Sequence, residues 1–590
     1  MQNRGLDHET ILMPPTGMTP PSFGAPTQQL WAGTAVEQGL ARVTASLARQ
    51  QRTGDHWVGT LSSSALATAI SLVALKLVDA KVFAEAIRKG RRWLIRTQAV
   101  DGGWGDAVVD ASNINATSLA LAALIFTQGE QRDAAEERAL ARARVRLQQF
   151  GGWEAVGDPN RCTLSGPCRT VAALAGILDW RHIKRLRPEV ILLPARTRRT
   201  ISTTFPAYLS IAMAHAAKAR HPLNLLPTYR RACRRALAWL QRAQGENGSF
   251  EESAFLSSVI ILGLYSARRQ DTPWLKAAVQ FVAESQRGDG GWPIDRDLET
   301  FDTDMAVLAF YEAGLPVPHG EKVRAWLLAR QFRQSCFPTS APPGGWAWAM
   351  PAGWPDTDDT SYTLLALRAL GVPASALAIR QGVRWLEGMQ SRSGAWPTFV
   401  RNSTMPFDHD CPYITGHVLS ALQATHRLEA NSKPLERALG YLERIQRYDG
   451  SFPSIWFRES VAGTASVLEA LADCGLGHLP MAVRAREALL RLQNEDGGWA
   501  GMRMQASTAE ETSWAILALL RMPEDAASRR AVERGVAWLV ARQRADGTWE
   551  QAPIGLYYSA MWYSDSYYAI TLPMQALARA RAHSLDQYAE

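Results

Sequence analysis

Two kinds of helical pattern alternate along the chain. One is amphipathic and rich in arginine, as in LERALGYLERIQ (residues 435–446), where apolar residues recur every three or four positions. The other is apolar on most faces and is opened by Ser or Thr, as in TSYTLLALRAL (360–370). We expect the first kind to carry its charges outward and the second kind to be buried all round.

A glycine turn that ends in an aromatic residue joins the two kinds of helix, and it recurs about every 50 residues. Its glycines accept left-handed backbone angles, and its Gln and Trp side chains can pin neighbouring helix ends together. The turn tryptophans are therefore predicted to brace helices. Close copies such as QNEDGGW end at Trp104, Trp292, Trp396, Phe452, Trp499 and Trp549, and looser copies end at Trp57, Trp153, Phe250 and Trp346.

The repeat predicts eleven apolar helices. They should begin near residues 64, 115, 168, 205, 255, 302, 357, 413, 461, 509 and 565. Stacked helix pairs of this kind either close into a ring with the apolar helices inside or run on as an open solenoid, and the periodicity leaves both arrangements open. The prolines near the N-terminus predict an extended arm.

The composition predicts a large protein with more than one core. With 590 residues, 47% hydrophobic and 20% charged, the chain should divide into two or more domains. Its formal charge of +8 is mild for this length and does not indicate a nucleic-acid partner. Basic residues cluster at 180–190, 195–200 and 229–235. Such clusters are either solvated helix faces or a patch that attracts an anionic membrane surface or a substrate phosphate.

Cysteine usage and hydropathy bear on the compartment. The six cysteines form no C-x-x-C pair, which indicates a reducing, cytoplasmic environment and disfavours structural zinc. The N-terminal sequence lacks the basic start and apolar core of a signal peptide, and apolar stretches such as 66–77 are shorter than the roughly 18 residues of a membrane span. We therefore predict a soluble protein, or one peripheral to the cytoplasmic face of a membrane.

Three aspartates, Asp356, Asp358 and Asp359, crowd the start of one predicted buried helix. One interpretation is helix capping, which Asp favours. A calcium loop starting at Asp356 would lack the required Gly and Glu at its sixth and twelfth positions, and a D-D-x-x-D metal motif would need an acid at Tyr362. Metal-dependent ionisation of a diphosphate is therefore disfavoured.

The Q-x-x-D-G-G-W turns at this period, together with DTDD at 356–359, resemble the class II terpene cyclases, most closely the squalene-hopene cyclases, over nearly the whole chain. The resemblance implies an all-α fold of two α/α barrels, one inserted into the other, with a large apolar cavity between them. It divides the chain into an N-terminal arm (1–35), an inserted barrel with five inner helices (36–285) and a catalytic barrel with six (286–590). Family members protonate a terminal alkene or epoxide of an isoprenoid and steer the carbocation through ring closures, with no metal or other cofactor.

The proton donor of such a reaction must be a strong acid that is still protonated at neutral pH. Burial and neighbouring acids raise the pKa of a carboxyl group, while a helix N-terminus stabilises the carboxylate left behind. The resemblance implies that Asp358 donates the proton and that His417 hydrogen-bonds the donor. Asp359 and Asp356 would assist or take part in reprotonation. Without the resemblance, a histidine on an apolar helix is more often a core residue.

Carbocations away from water are stabilised by aromatic faces, by up to about 2 kcal/mol for each desolvated contact. The resemblance implies a cavity lined by Phe301, Asp302, Trp348, Phe399, Trp456, Trp562, Tyr563, Tyr567 and Tyr568. Any one of the aromatic residues is otherwise a plain core residue. Two positions depart from the family pattern, because hopene-forming relatives usually carry an acid at Tyr413 and a tyrosine at Ala462.

These patterns favour a cyclase of a long linear isoprenoid such as squalene. The alternative is a cyclase of a C15–C20 prenyl diphosphate that retains the diphosphate, with the basic region at 181–200 or 229–235 holding the phosphates. Two alternatives are more distant. One is a zinc-dependent protein prenyltransferase subunit, which is disfavoured because the adjacent residues Asp410 and Cys411 do not have the spacing expected of zinc ligands. The other is a non-catalytic toroid that binds a protein. The sequence leaves open whether the chain forms a homodimer.

Overall fold

The computed structural model describes residues 34–108, 110–129, 134–194, 204–219, 224, 226–270, 272–405, 408–428, 432–501, 505–557 and 561–589. The predicted N-terminal arm up to residue 33 and the basic segment at 195–200 lie outside these residues.

The helices are, in chain order, α1 (Thr34–Arg49), α2 (Ala65–Asp79), α3 (Ala84–Arg96), α4 (Ile114–Thr127), α5 (Ala134–Gln149), α6 (Gly152–Val156), α7 (Ser165–Leu174), α8 (Phe205–Ala219), α9 (Pro227–Ala243), α10 (Ala254–Ser266), α11 (Leu275–Glu284), α12 (Glu299–Glu312), α13 (Gly320–Ala329), α14 (Thr357–Ala369), α15 (Leu377–Met389), α16 (Pro412–Ala424), α17 (Lys433–Ile445), α18 (Glu459–Asp473), α19 (Pro480–Leu492), α20 (Ala509–Leu519), α21 (Ala526–Arg542) and α22 (Tyr568–Ala589). The strands are β1 (Ser63–Ser64), β2 (Trp292–Pro293), β3 (Thr404–Met405), β4 (Asp408–His409), β5 (Gly555–Tyr557) and β6 (Met561–Tyr563).

The eleven apolar helices are present, and each begins within three residues of its predicted start. They form two closed rings. Helices α2, α4, α7, α8 and α10 pack in that order, and α10 packs back on α2. Helices α12, α14, α16, α18, α20 and α22 form the second ring, which α22 closes against α12. The chain is therefore a pair of α/α barrels, and the open solenoid is excluded.

Helix α1 belongs to the outer layer of the second ring, although it comes first in the chain. It packs against α22 and α21, and the Gln543 side-chain amide donates to the Gly39 carbonyl at 2.8 Å. The sequence analysis assigns residues from 36 onward to the inserted barrel, whereas residues 34–49 pack against the second ring. Sequence periodicity identifies α1 as an outer helix without showing which ring it joins. The chain starts on the second ring, builds the first ring and then returns.

The recurring turns tie neighbouring outer helices together. In the turn that ends α19, the Gln493 amide donates to the Gly497 carbonyl at 2.8 Å and to the Ala531 carbonyl of α21 at 2.7 Å. The Trp499 indole N–H donates to the Leu489 carbonyl at 2.8 Å. Gly497 has a φ of 95°, which favours glycine. The predicted pinning role of the Gln and Trp side chains is confirmed.

The described strands form three short antiparallel ribbons, and two of them bear on the site. The β1–β2 ribbon pairs Ser64, at the start of α2, with Trp292, in the turn after α11, and so lies within the first ring just before the chain continues to α12. The β5–β6 hairpin precedes α22 and presents its side chains at the amino-terminal end of the second ring. Among the described helices, none is both long enough and apolar enough to cross a membrane.

Candidate active site

The three aspartates lie at the amino-terminal end of α14, where their roles separate. Asp356 is the N-cap residue, and its Oδ1 accepts the Asp359 backbone N–H at 2.9 Å. The capping interpretation therefore applies to Asp356. Asp358 lies in the first turn of α14, so its carboxyl group is close to the positive end of the helix dipole. Its side chain is largely buried, since the residue is 9% exposed.

His417 approaches Asp358 from the neighbouring helix α16, as predicted. Its Nδ1 lies 2.6 Å from Oδ1 of Asp358, and its Nε2 lies 3.3 Å from the hydroxyl of Tyr362. Tyr362 is four residues after Asp358, so both side chains lie on the same face of α14. Sequence reasoning considered Tyr362 only as a missing metal ligand, and the four-residue spacing was the signal for its position beside Asp358.

Burial raises the pKa of two of the three aspartates, Asp356 and Asp359. It raises the pKa of Asp356 to about 7, against the opposing effect of the hydrogen bonds from Asp359. Burial and the neighbouring charge of Asp356 raise the pKa of Asp359 well above its usual range. Asp304 of α12 is a fourth buried carboxyl: burial raises its pKa strongly, and its Oδ2 accepts the Thr363 hydroxyl at 2.5 Å. The sequence signal for Asp304 was a second acid two residues after Asp302 on a buried inner helix.

An apolar cavity lies beside the acids, at the amino-terminal ends of the inner helices of the second ring. Its cavity volume is about 60 Å³, so a long isoprenoid chain can enter only if side chains of the wall move apart. All three aspartates reach this cavity, and the other predicted residues on its wall are Phe301, Trp348, Phe399, Trp456, Tyr563 and Tyr568. The arrangement places three carboxyl groups against a wall of aromatic rings.

The aromatic rings on this wall contact one another edge to face. The centroids of Trp348 and Phe399 are 5.7 Å apart, those of Phe399 and Trp456 are 6.0 Å apart, and those of Trp456 and Tyr557 are 5.5 Å apart. Edge-to-face packing alternates electron-rich faces with ring edges along the wall. A long chain that passes between these rings therefore needs some of them to rotate.

Three predicted lining residues lie elsewhere, each beside a residue that does line the cavity. Asp302 follows Phe301 on α12, and its Oδ2 accepts the Gly59 N–H at 2.6 Å, away from the cavity. Trp562 precedes Tyr563 on β6, where consecutive side chains point to opposite faces. Tyr567 donates its backbone N–H to Asp565 at 2.6 Å and is also absent from the cavity wall. In each pair, neighbouring residues point in different directions along the helix or strand, so that one side chain reaches the cavity and the other does not.

Sequence reasoning missed four lining residues: Leu298, Thr398, Phe457 and Tyr557. Each lies within five residues of a predicted one. Leu298, Thr398 and Phe457 lie in irregular segments before the inner helices, whereas Tyr557 ends β5. Such segments have no fixed period, so that the direction of a side chain cannot be read from the spacing of the sequence.

Three family models match the chain. The model of the squalene-hopene cyclase N-terminal domain matches residues 40–205, and that of the C-terminal domain matches residues 299–582. The prenyltransferase alpha-alpha toroid model matches residues 194–337. The chain belongs to the squalene-hopene cyclase family.

Relatives of the cyclase resemble it along most of its length. The squalene-hopene cyclase of Alicyclobacillus acidocaldarius is 27% identical, over 92% of this chain and 96% of that protein. The dammaradiene synthase of Dryopteris crassirhizoma is 24% identical, over 92% of this chain and 94% of that protein. The solved structure of ent-copalyl diphosphate synthase from Streptomyces platensis shares the fold with a TM-score of 0.60 and 19% identity, over 93% of this chain and all of that chain. The cyclase is thus a class II terpene cyclase.

A second, polar cavity fills the lumen of the second ring on the other side of the acid cluster. Tyr362 and His417 lie at its inner end. Further along, Arg579 donates to Glu312 at 2.6 Å and to Glu469 at 2.9 Å. The cyclase therefore places its acid cluster between an apolar cavity and a polar one. In the part of the chain that the structure describes, no group of three or more His, Cys, Asp or Glu residues could hold a metal ion.

The two departures from the family pattern both lie around His417. The Tyr413 ring meets the His417 imidazole with centroids 4.2 Å apart, at an angle of 71°. Burial raises the pKa of the Tyr413 and Tyr362 hydroxyls well above their usual range, so both are neutral phenols. Ala462 lines the polar cavity. The tyrosine hydroxyl beside the histidine thus comes from Tyr362 in this cyclase.

Proposed function

We propose that this cyclase protonates a terminal double bond of a linear isoprenoid hydrocarbon, of which squalene is the first to test, and closes it into a polycyclic terpenoid. The observation that carries this proposal is the hydrogen-bonded pair of Asp358 and His417 beside an aromatic cavity. No Lys or Arg is among the described residues that line this cavity, which favours a hydrocarbon over a substrate whose diphosphate lies there. Retention of a prenyl diphosphate outside the cavity is the alternative.

In this proposal Asp358 gives its proton to the alkene, and the charge it then carries is stabilised in two ways. His417 donates to the resulting carboxylate through Nδ1, and the amino-terminal end of α14 adds its dipole. Asp356 and Asp359 assist by sharing protons as a coupled set, which disfavours a second negative charge in the cluster. In this proposal the acid strength of the donor comes from stabilising its conjugate base.

The cation that forms is stabilised by the faces of the wall aromatics. Phe301 is the lining aromatic on the helix next to α14, and Trp348, Phe399 and Trp456 extend the wall away from the acids. Each desolvated face contributes up to about 2 kcal/mol to a nearby cation without adding to it as a nucleophile. The order of these rings along the wall would guide successive ring closures.

Each turnover leaves Asp358 without its proton, so the acid must be recharged. The polar lumen supplies the route in this proposal: the Tyr362 hydroxyl gives a proton to Nε2 of His417 and regains one from water, while Nδ1 passes a proton to Asp358. One proton enters from the lumen for each proton given to the substrate. The apolar cavity stays free of the water that would otherwise capture the cation.

The test is incubation of the purified protein with squalene, geranylgeranyl diphosphate and farnesyl diphosphate in separate reactions, in H₂O and in D₂O, with EDTA present. The proposal expects cyclised hydrocarbon or alcohol from squalene, with one deuterium added at the protonated terminal carbon in D₂O. If the protein converts only the diphosphates and not squalene, the substrate is a prenyl diphosphate and the proposed hydrocarbon substrate is wrong. Loss of turnover with EDTA, restored by zinc, would support the prenyltransferase-like function instead.

A further inference from the structure

The proposed cyclisation ends in a cation, and its final step needs a group on the cavity wall away from Asp358. We propose that Tyr557, backed by Asp295, is the base that removes a proton from the last carbocation and releases an alkene. This inference rests on the proposed function and extends it to the terminating step. It uses two residues that the sequence patterns did not single out.

Tyr557 has the position that a terminating base requires. It ends strand β5, and its ring lies on the cavity wall between Trp456, at a centroid distance of 5.5 Å, and Tyr563, at 5.0 Å. The β5–β6 hairpin that carries it is separate from helices α14 and α16, which carry the acid and its histidine. A chain folded in the cavity can therefore meet the donor and this hydroxyl at different carbons.

The Tyr557 hydroxyl is hydrogen-bonded to a buried carboxylate. It donates to Oδ2 of Asp295, which is 2% exposed and lies between β2 and α12. Burial raises the pKa of Asp295 to about 7, while the hydrogen bond from Tyr557 opposes this rise. Near neutral pH a large share of the molecules thus holds Asp295 as the carboxylate that can accept a proton.

The other hydroxyls on the described part of the wall have different partners. Thr398 accepts the Trp456 indole N–H at 2.7 Å. The hydroxyls of Tyr563 and Tyr568 share a hydrogen bond of 3.1 Å with each other. A phenol that passes its proton to a second phenol gains no counter-charge for the cation, whereas Tyr557 can pass its proton to a carboxylate.

The step balances in atoms and charge. The electrons of a C–H bond next to the cationic carbon become the new C=C bond, and the proton goes to Oη of Tyr557. At the same time, the phenol proton moves to Asp295. A carbocation and a carboxylate thus become a neutral alkene and a neutral acid. Because a C–H bond beside a carbocation is very acidic, a weakly basic phenol oxygen with a carboxylate behind it is sufficient.

The test compares the products of the wild type with those of Tyr557→Phe and Asp295→Asn, using whichever of squalene, geranylgeranyl diphosphate or farnesyl diphosphate the wild type cyclises. Both variants should lower the fraction of the main alkene at least fivefold. Alcohols from water capture, or alkenes with the double bond elsewhere, should replace it. Tyr441→Phe is the matched control, since its hydroxyl donates to the Asp410 carbonyl and it is not on the cavity wall.

Three results would overturn the inference while leaving cyclisation intact. In the first, the folded Tyr557→Phe variant gives the same products as the wild type. In the second, Tyr557→Phe changes the products but Asp295→Asn does not. In the third, the wild type releases only an alcohol and no alkene. Circular dichroism and melting curves establish that the variants are folded. A wild type that cyclises none of the three substrates fails the proposed function itself, so the two failures are distinguishable.

Discussion

Nδ1 of His417 lies 2.6 Å from Oδ1 of Asp358, across the seam where α16 packs on α14. This contact joins two compartments of opposite character, because Asp358 lines the apolar cavity while His417 lines the polar lumen. A proton that enters from the polar side can therefore reach the apolar side without water following it.

Asp358→Asn should abolish cyclisation. Asparagine keeps the size of the side chain and has no acidic proton, so we expect kcat to fall by at least about 10³-fold, as for loss of a general acid. The melting temperature should stay within a few degrees of the wild type. Product formation is measured by mass spectrometry, with Asp546→Asn, on an exposed turn, as the control. Near-normal turnover in Asp358→Asn would remove this residue as the donor.

Tyr362→Phe should slow the recharging of the acid but not the first protonation. Loss of the hydroxyl removes the hydrogen bond to Nε2 of His417, and we expect steady-state kcat to fall by about tenfold, which corresponds to about 1.4 kcal/mol. The single-turnover rate and KM should stay near the wild-type values. Equal loss in single-turnover and steady-state rates would instead assign Tyr362 a structural role. Tyr441→Phe again provides a matched removal of one hydroxyl.

Trp456→Ala should release products that terminate early. Its ring contacts Phe399 and Tyr557, so its loss removes one cation-stabilising face and leaves room for water. We expect monocyclic and partly cyclised products to rise from a trace to a major fraction, whereas Trp456→Phe should restore most of the wild-type profile. Phe399→Ala should behave in the same direction. Gas chromatography of the extracted products decides, and an unchanged profile excludes contact with a cation.

Stability should fall as the pH rises from 5 to 8. Burial raises the pKa of six described carboxyls to about 7: Asp106, Glu252, Asp295, Asp356, Asp408 and Glu510. The same groups have a pKa of about 4 in the unfolded chain, so between about pH 4 and pH 7 the folded state binds more protons than the unfolded state. The contribution of these protons to stability therefore decreases as the pH rises and is lost once the pH passes about 7. His215 opposes this trend, because burial lowers its pKa to about 4. The melting temperature should be several degrees higher at pH 5 than at pH 8, and a higher value at pH 8 would contradict this account.

Gln543→Leu should loosen α1. The side chain of Gln543 donates to the carbonyls of Gly39 and Gly547, so its loss should cost about 2 kcal/mol and speed hydrogen exchange in residues 34–49. Gln286→Leu is the matched control, because it makes the same bonds within the first ring, to Ala86 and Gly290. It should lower the melting temperature by a similar amount while exchange in α1 stays unchanged. Equal exchange of α1 in both variants would contradict its placement on the second ring.

The inner helices were predictable because burial on all sides leaves an apolar sequence with no polar face, and because the turn between helices repeats its chemistry. The contact between Asp358 and His417 was predictable only through family resemblance, since 59 residues separate the two positions. The contact of Tyr362 with His417 could not be predicted, because the sequence does not show which neighbouring helix packs against that face of α14. Tyr557 ends β5 and Asp295 lies in the irregular segment between β2 and α12, and the contact between them joins distant parts of the chain that the sequence pattern does not bring together.

The ring around the polar lumen is built from both ends of the described chain, with the whole first barrel inserted between its outermost helix α1 and the rest. During synthesis, α1 must wait without its partner α22 until more than 500 further residues have left the ribosome. The reaction chamber therefore assembles late, after the inserted barrel has had time to fold. A chain that stops before α22 lacks both the wall residue Tyr568 and the seal of the lumen, and such a fragment should be unable to hold a reactive cation away from water.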